Sequence, residues 1–175
     1  DQADSQVSCT PDVIAIPVLS VHIGVPGKPG SLAESLDGQG AAFLSALARK
    51  NNSYVVGGLY LRDPEKSGKV YNALLLMDRS GSLVGWYAKA YPTGYEMTSG
   101  IAPGPPEPDP MGTEFGPMGL SICFDLNFEP PWASYARKGC RLVVWSSAYA
   151  GGELLQARAV LGGFVKRYKF RVEIE

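Results

Sequence analysis

An α/β fold, with a layered sheet and helices packed outside it, is what this 175-residue chain predicts, and three observations predict it. Short, nearly continuous apolar runs recur between turn signals, as in strands covered on both faces. Between two of them lies a segment with helical rather than strand periodicity. Further along, two apolar runs flank a tight polar turn. Residues 12–17 (Asp12-Val13-Ile14-Ala15-Ile16-Pro17) form the first run and read as a strand. Residues 18–37 carry Pro26, Gly27, Pro29 and Gly30 and read as a loop. From Gly38 the pattern is helical: Phe43, Leu44, Leu47 and Ala48 form one stripe, with Arg49 and Lys50 suited to the C-terminal end.

Residues 54–60 form a strand rich in Val and Tyr. Residues 70–77 and 83–88 flank Asp78-Arg79-Ser80-Gly81-Ser82 and read as a hairpin. The proline- and glycine-rich stretch 92–117 has no periodicity and reads as a functional loop. A strand ending at Ile122, a short helix over 131–138 with Pro131 in its first turn, a strand over 142–145 and a helix over 153–161 complete the order. The chain contains no internal repeat.

Composition excludes several classes. Apolar residues make up 45% and charged residues 19%, as in an ordinary globular protein of one domain. A net charge of -1 offers no electrostatic case for nucleic acid or an anionic membrane. No apolar stretch approaches the roughly 18 residues of a membrane span, and residues 1–6 lack the features of a signal peptide. Three cysteines (Cys9, Cys123 and Cys140) at unrelated spacings argue against a disulfide framework, which favours a reducing, cytoplasmic setting. With His22 as the single histidine, no His-rich metal site is expected.

Two residues carry chemistry. The run Pro117-Met118-Gly119-Leu120-Ser121-Ile122 delivers Cys123 into the polar turn Phe124-Asp125-Leu126-Asn127. The run Leu83-Val84-Gly85-Trp86-Tyr87-Ala88 delivers Lys89 in the same manner. A strand-end thiol and a strand-end ammonium together suit attack on a carbonyl or nitrile carbon. Taken singly, each has a plainer reading: a cysteine as core filler, a lysine as a solvated charge. Cys9, Cys140, Trp86 and Trp132 keep the plainer one. His22 sits in a Gly/Pro-rich loop, where it is most simply non-catalytic.

These residues resemble the carbon–nitrogen hydrolase family, the nitrilase and amidase superfamily. The pieces are Asp12 to Pro17, Asn51 to Leu59, Val70-Tyr71-Asn72-Ala73, Trp86-Tyr87-Ala88-Lys89, Gly119 to Asp125, and Trp145-Ser146-Ser147-Ala148-Tyr149. Their order covers residues 11–158 and leaves 159–175 as a divergent tail. The resemblance implies an α-β-β-α sandwich that pairs with a second copy, and a Glu-Lys-Cys triad with no metal or organic cofactor. It implies a small amide, ureido or nitrile substrate and a thioester or thioimidate intermediate. By motif, Cys123 is the nucleophile and Lys89 the cation facing the developing oxyanion. The N–H of Phe124 completes the oxyanion site, and Glu96 holds Lys89. Asp125 and Asn127 tie down the turn. Apart from the resemblance, Trp145 is most simply a packing residue, and its place with Tyr149 after a strand end also suits the lining of a substrate pocket.

The pattern also departs from the family. The triad glutamate is expected directly after Pro17, where this chain has Val18, which cannot accept a proton. Glu34 and Asp37 are the nearest acids, in a segment resembling a different family piece. The family's opening strand and first helix are missing before Pro11 and its later strands after Arg158, as in a fragment, a truncated product or a degenerate copy. Two readings stand: a hydrolase of small non-peptide C–N bonds, or a non-catalytic relative that binds or associates.

Overall fold

The structure is a computed structural model that describes residues 11–22, 24–65 and 67–164. In chain order its elements are β1 (Val13–Ala15), α1 (Pro29–Leu32), α2 (Gln39–Asn51), β2 (Tyr54–Arg62), β3 (Val70–Met77) and β4 (Leu83–Ala88). Then come α3 (Gly94–Thr98), β5 (Met111–Thr113), β6 (Gly116–Ile122), α4 (Glu129–Arg137), β7 (Leu142–Ser146) and α5 (Gly152–Leu161). Single 3-10 turns follow β1 (Ser20–His22) and β6 (Cys123–Asn127).

The strands form two sheets, in the orders β1-β2-β3-β4 and β5-β6-β7. The first is built around the expected hairpin. Asp78 accepts the N–H groups of Ser80 and Ser82 at 2.8 and 2.9 Å, and Gly81 supplies the positive φ of 80° that closes the turn. β1 joins β2 in parallel, and β7 joins β6 in parallel. Each parallel pair is joined by a crossover that contains a helix, α2 in the first case and α4 in the second.

Period-two burial on the strands creates three cores. On one face of the first sheet, Val55, Leu59 and Leu75 pack against Leu44 and Ala48 of α2. On its other face, Val56, Leu74, Leu76 and Tyr87 meet Met118, Leu120, Ile122 and Val144 of the second sheet. Beyond that sheet, Trp132 and Tyr135 of α4 enclose Leu126 and Cys140. The layers are therefore helix, sheet, sheet, helix. Gly119 lets α4 come this close, since a Cβ there would lie 2.8 Å from the Tyr135 ring.

Several elements differ from the sequence reading. The segment 18–37 is not purely a loop. Pro29, fixed near helical φ, starts the short α1, and Glu34 bridges Leu61 at the edge of β2. The stretch 92–117 contains α3 and β5. Helix α4 begins at Glu129, two residues earlier than expected, because Pro130 as well as Pro131 fits the first turn. Phe43 does not belong to the buried stripe of α2. It is 55% exposed, because the stripe runs through Ala41, Leu44 and Ala48, and Phe43 lies about 100° around the helix from Leu44. Cys9 and the tail after Phe164 lie outside the described residues.

Candidate active site

Register brings one row of polar residues together. Tyr60 on β2 pairs with Asn72 on β3, and the ladder continues one residue past β4, with the Lys89 N–H donating to the Asn72 carbonyl at 2.9 Å. Asn72 and Lys89 stand two positions from Leu74 and Tyr87, which face the second sheet, so the row shares that inner face. Lys89 is 2% exposed. The loop after α3 clamps its backbone: the Gly104 N–H donates to the Lys89 carbonyl at 2.9 Å, and Gly104 sits against Ala88 where no Cβ would fit.

A buried ammonium needs a counter-charge, and Glu96 supplies it. Thr93 caps α3, with the Glu96 N–H donating to Thr93 Oγ1 at 3.3 Å and the Thr93 N–H returning to Glu96 Oε2 at 2.7 Å. That box aims the carboxylate at Lys89 Nζ, 2.7 Å from Oε2, while Asn72 Nδ2 donates to Oε1 at 2.7 Å. Burial pushes the Glu96 carboxyl up, but the bonds from Lys89, Thr93 and Asn72 outweigh it and hold the group below the usual carboxylate range.

Cys123 arrives from the second sheet. It sits in the left-handed region at φ 44°, so β6 ends in a sharp turn just where the thiol leaves the core. Its carbonyl accepts Trp145 Nε1 at 3.0 Å and the Tyr149 hydroxyl at 3.2 Å. The polar atoms of Trp145 and Tyr149 thus brace the turn, and their two rings meet edge-on at 5.3 Å. Asn127 Nδ2 donates to the Phe124 carbonyl at 3.1 Å, and the Phe124 side chain is exposed. Asp125 is fully buried and accepts the N–H of Ile122 at 2.9 Å, the N–H of Tyr91 at 2.8 Å and the Tyr87 hydroxyl at 2.8 Å. Two of those donors flank Lys89, so Asp125 ties the strand end bearing Cys123 to the strand end bearing Lys89. Burial raises the Asp125 carboxyl to about 6, against the lowering effect of its three donors and of Lys89.

Val18 and Cys123 both pack against the core between the sheets. The Val18–Leu19 backbone crosses directly over Gly58, where a Cβ would come within 2.6 Å of the Leu19 nitrogen. The Ser146 hydroxyl donates to the Ile16 carbonyl at 3.1 Å and fastens the end of β7 to the end of β1. The ends of β1, β4, β6 and β7 therefore converge on one region that holds Val18, Lys89, Cys123 and Ser146.

Glu34 and His22 adjoin the β2 end of the polar row, with the His22 ring 5.3 Å from the Tyr60 ring. Glu34 accepts the Gly40 N–H at 2.7 Å and faces His22 Nε2 at 3.5 Å, while His22 Nδ1 faces the Tyr60 N–H at 3.4 Å. With Gln39 and Arg62 they line an open groove beside the start of α2. Cys140 is buried in the outer core, which pushes its thiol up to about 11. No group of His, Cys, Asp and Glu suited to a metal ion occurs among the described residues. No helix among them is long and apolar enough to cross a membrane. Asn72 escaped the sequence reading as a site residue although it lies in a recognised motif, because its partner Glu96 is 24 residues away.

Fold and site together define a class: a four-layer α-β-β-α protein with a strand-end thiol and a buried Lys–Glu pair. The sequence profile of the carbon–nitrogen hydrolase family matches residues 5–164, and the chain belongs to that family. It is 30% identical to the nitrilase and fragile histidine triad fusion protein of Drosophila melanogaster, over 91% of this chain and 37% of that protein. It is also 30% identical to an omega-amidase of Mus musculus, over 73% of this chain and 51% of that protein. The chain thus spans about half or less of these relatives' length. Among solved structures it is similar to a Glu-to-Gln variant of the amidase from Nesterenkonia sp. AN1, which carries acrylamide added at its active-site cysteine. That match has a TM-score of 0.68 and 25% identity, and covers 87% of this chain and 62% of the other.

Proposed function

We propose that this chain carries an amidase-type site for small non-peptide C–N bonds, with Cys123 as nucleophile and Lys89 as the cation that meets the developing oxyanion. The observation that supports it best is the buried Lys89–Glu96 pair, 2.7 Å apart, on the inner-face row beside the Cys123 turn. Lys89 has three N–H donors, and its bond to Glu96 uses one. The others are available to an oxyanion, together with the backbone N–H of Phe124. Attack by the Cys123 sulfur forms a C–S bond, expulsion of the amine leaves a thioester, and water then hydrolyses it. A nitrile would pass through a thioimidate. No step calls for a metal or organic cofactor.

Val18 sets the speed. The thiol proton needs an acceptor, and the two nearby carboxylates are poorly placed to serve. Glu96 is held ionised by three donors, and Asp125 is sealed in the core behind the turn. Absence of a general base lowers the rate by about 10²–10⁴-fold. Val18 also favours a second reading, a non-catalytic relative that retains the sandwich for ligand binding or association. The first reading carries with it a cytoplasmic setting, which the free thiols of Cys123 and Cys140 suit, and no nucleic-acid or membrane partner. It also carries pairing of two copies, for which Leu154, Val160 and Leu161 on α5 offer an exposed apolar surface.

Intact-mass analysis after incubation with acrylamide and with a panel of small amides and nitriles tests both readings. The chain, Cys123→Ala and Val18→Glu are compared. Adduct at Cys123 with slow turnover, accelerated in Val18→Glu, is the expected result. Acrylamide adduct without turnover in either chain selects the binding reading.

A further inference from the structure

We propose that Asn72 is a positioning residue of this site: its buried amide fixes the Glu96 carboxylate so that Lys89 is held with its free N–H groups toward Cys123. The inference rests on the reading of Cys123 and Lys89 given above, and extends it to a residue outside the nucleophile, cation and carboxylate. Asn72 touches both halves of the ion pair. Its side chain donates to Glu96 Oε1 at 2.7 Å, and its backbone carbonyl accepts the Lys89 N–H at 2.9 Å.

The other two donors to Glu96, Lys89 Nζ and the Thr93 N–H, both bond Oε2. Asn72 therefore supplies the only side-chain bond to Oε1 among the described residues, and so the bond that stops the carboxylate from rotating. A terminal carboxylate torsion is broad and two-fold, so one fixed oxygen does not set the other's direction. Two fixed oxygens do.

The fold alone gives no reason for an amide here. Asn72 is 2% exposed, and its inner-face neighbours along β3 are Leu74 and Leu76. Its Oδ1 is buried with no hydrogen-bond partner among the described residues. A half-satisfied buried amide destabilises relative to an apolar side chain of similar size. Leucine would extend the apolar row at no such cost, so what the amide does for Glu96 is the reason for its presence. An amide also suits the task because it donates at every pH. The charged and titratable groups facing Glu96 are Lys89 from the end of β4 and Tyr60 from β2, and His22 packs against the Tyr60 ring. Burial and the Glu96 charge push the Tyr60 phenol up.

The test uses the full chain with ¹³C-labelled glutamate, with Asn72→Leu, Asn72→Asp and Lys89→Met as variants. The side-chain carboxyl of Glu96, assigned through Glu96→Gln, is titrated by NMR, and the rate of acrylamide addition to Cys123 is followed against pH by intact mass. In both Asn72 variants the Glu96 midpoint is expected to rise by at least one pH unit. The alkylation midpoint of Cys123 should rise by at least half a unit, about threefold in rate on the acid limb. Asn72→Asp is close to isosteric and keeps the packing if Asn72→Leu fails to fold. Its added negative charge itself raises the midpoint, so in that variant only an unmoved midpoint is decisive, and it overturns the proposal. An unmoved Glu96 midpoint overturns the proposal. A Glu96 midpoint that moves while the Cys123 midpoint stays, in a protein where Lys89→Met does move it, overturns the link to the thiol and leaves the reading of the site intact. If Lys89→Met leaves the Cys123 midpoint in place as well, the reading of the site falls and the proposal falls with it.

Discussion

Asp125 accepts the backbone N–H of Tyr91 at 2.8 Å, and through that bond the turn bearing Cys123 is fastened to the segment that follows Lys89. The two catalytic candidates lie on different sheets and 34 residues apart, so nothing local holds them in register. The buried carboxylate does this by collecting donors from both sides.

Its ionisation makes stability depend on pH. Burial raises the folded-state Asp125 carboxyl to about 6, above the unfolded value, so the folded chain holds that proton more tightly. The stabilising contribution is fully present below the unfolded pKa and is lost as pH rises through about 6. Between pH 4.5 and 7.5 the chain should lose about 2 kcal/mol relative to Asp125→Asn, which cannot titrate there. Urea midpoints of both chains at the two pH values measure it, and equal pH dependence in the two would refute the assignment.

The Lys89–Glu96 pair should be strongly coupled in stability. Removing one partner leaves the other charge buried, at a cost of about 3 kcal/mol, whereas removing both leaves none. Glu96→Gln and Lys89→Met should each destabilise by that order, and the double variant by clearly less than their sum. A double-mutant cycle from denaturant unfolding reads the coupling, and additivity would mean that solvent already screens the pair.

How far the sequence foretold this site depended on distance along the chain. The hairpin of β3 and β4 was legible to the residue, because Asp78, Ser80, Gly81 and Ser82 encode its turn locally. Cys123 and Lys89 were legible as strand-end residues for the same reason. Helix α3 was missed inside a proline-rich stretch, although Thr93 and Glu96 carry the spacing of a capping box that would have revealed it. The Asn72–Glu96 bond and the division into two sheets depend on pairings between distant segments, which periodicity does not encode. Trp145 and Tyr149 were expected to line a pocket, and their hydrogen bonds to the Cys123 carbonyl depend on a turn 22 and 26 residues away.

Gly58 should prove indispensable to the position of Val18. A Cβ on residue 58 would lie 2.6 Å from the Leu19 nitrogen and 3.1 Å from the Val18 Cα, and both are backbone atoms that cannot swing aside. Leu19 already sits at φ 55°, so the turn has little room to adapt. Gly58→Ala should cost about 2 kcal/mol, as overpacking does. Placed in the Val18→Glu background, it should also abolish any gain in turnover, because the new carboxylate would be displaced. Retained activity in the double variant would mean that residue 18 reaches the thiol by another path.

The last prediction concerns the backbone at the proposed nucleophile. Cys123 holds φ at 44°, a conformation that costs a residue with a Cβ roughly 1–2 kcal/mol and costs glycine almost nothing. The strain persists because Trp145, Tyr149 and Asp125 hold the turn from three directions. Replacing Cys123 by alanine keeps the strain, and replacing it by glycine releases it. Cys123→Gly should therefore unfold at a higher denaturant concentration than Cys123→Ala, by about 1 kcal/mol, even though glycine gains more entropy on unfolding. If alanine proves the more stable, the turn relaxes in solution to negative φ, and the thiol is not held at the strand end in the orientation the proposed attack requires.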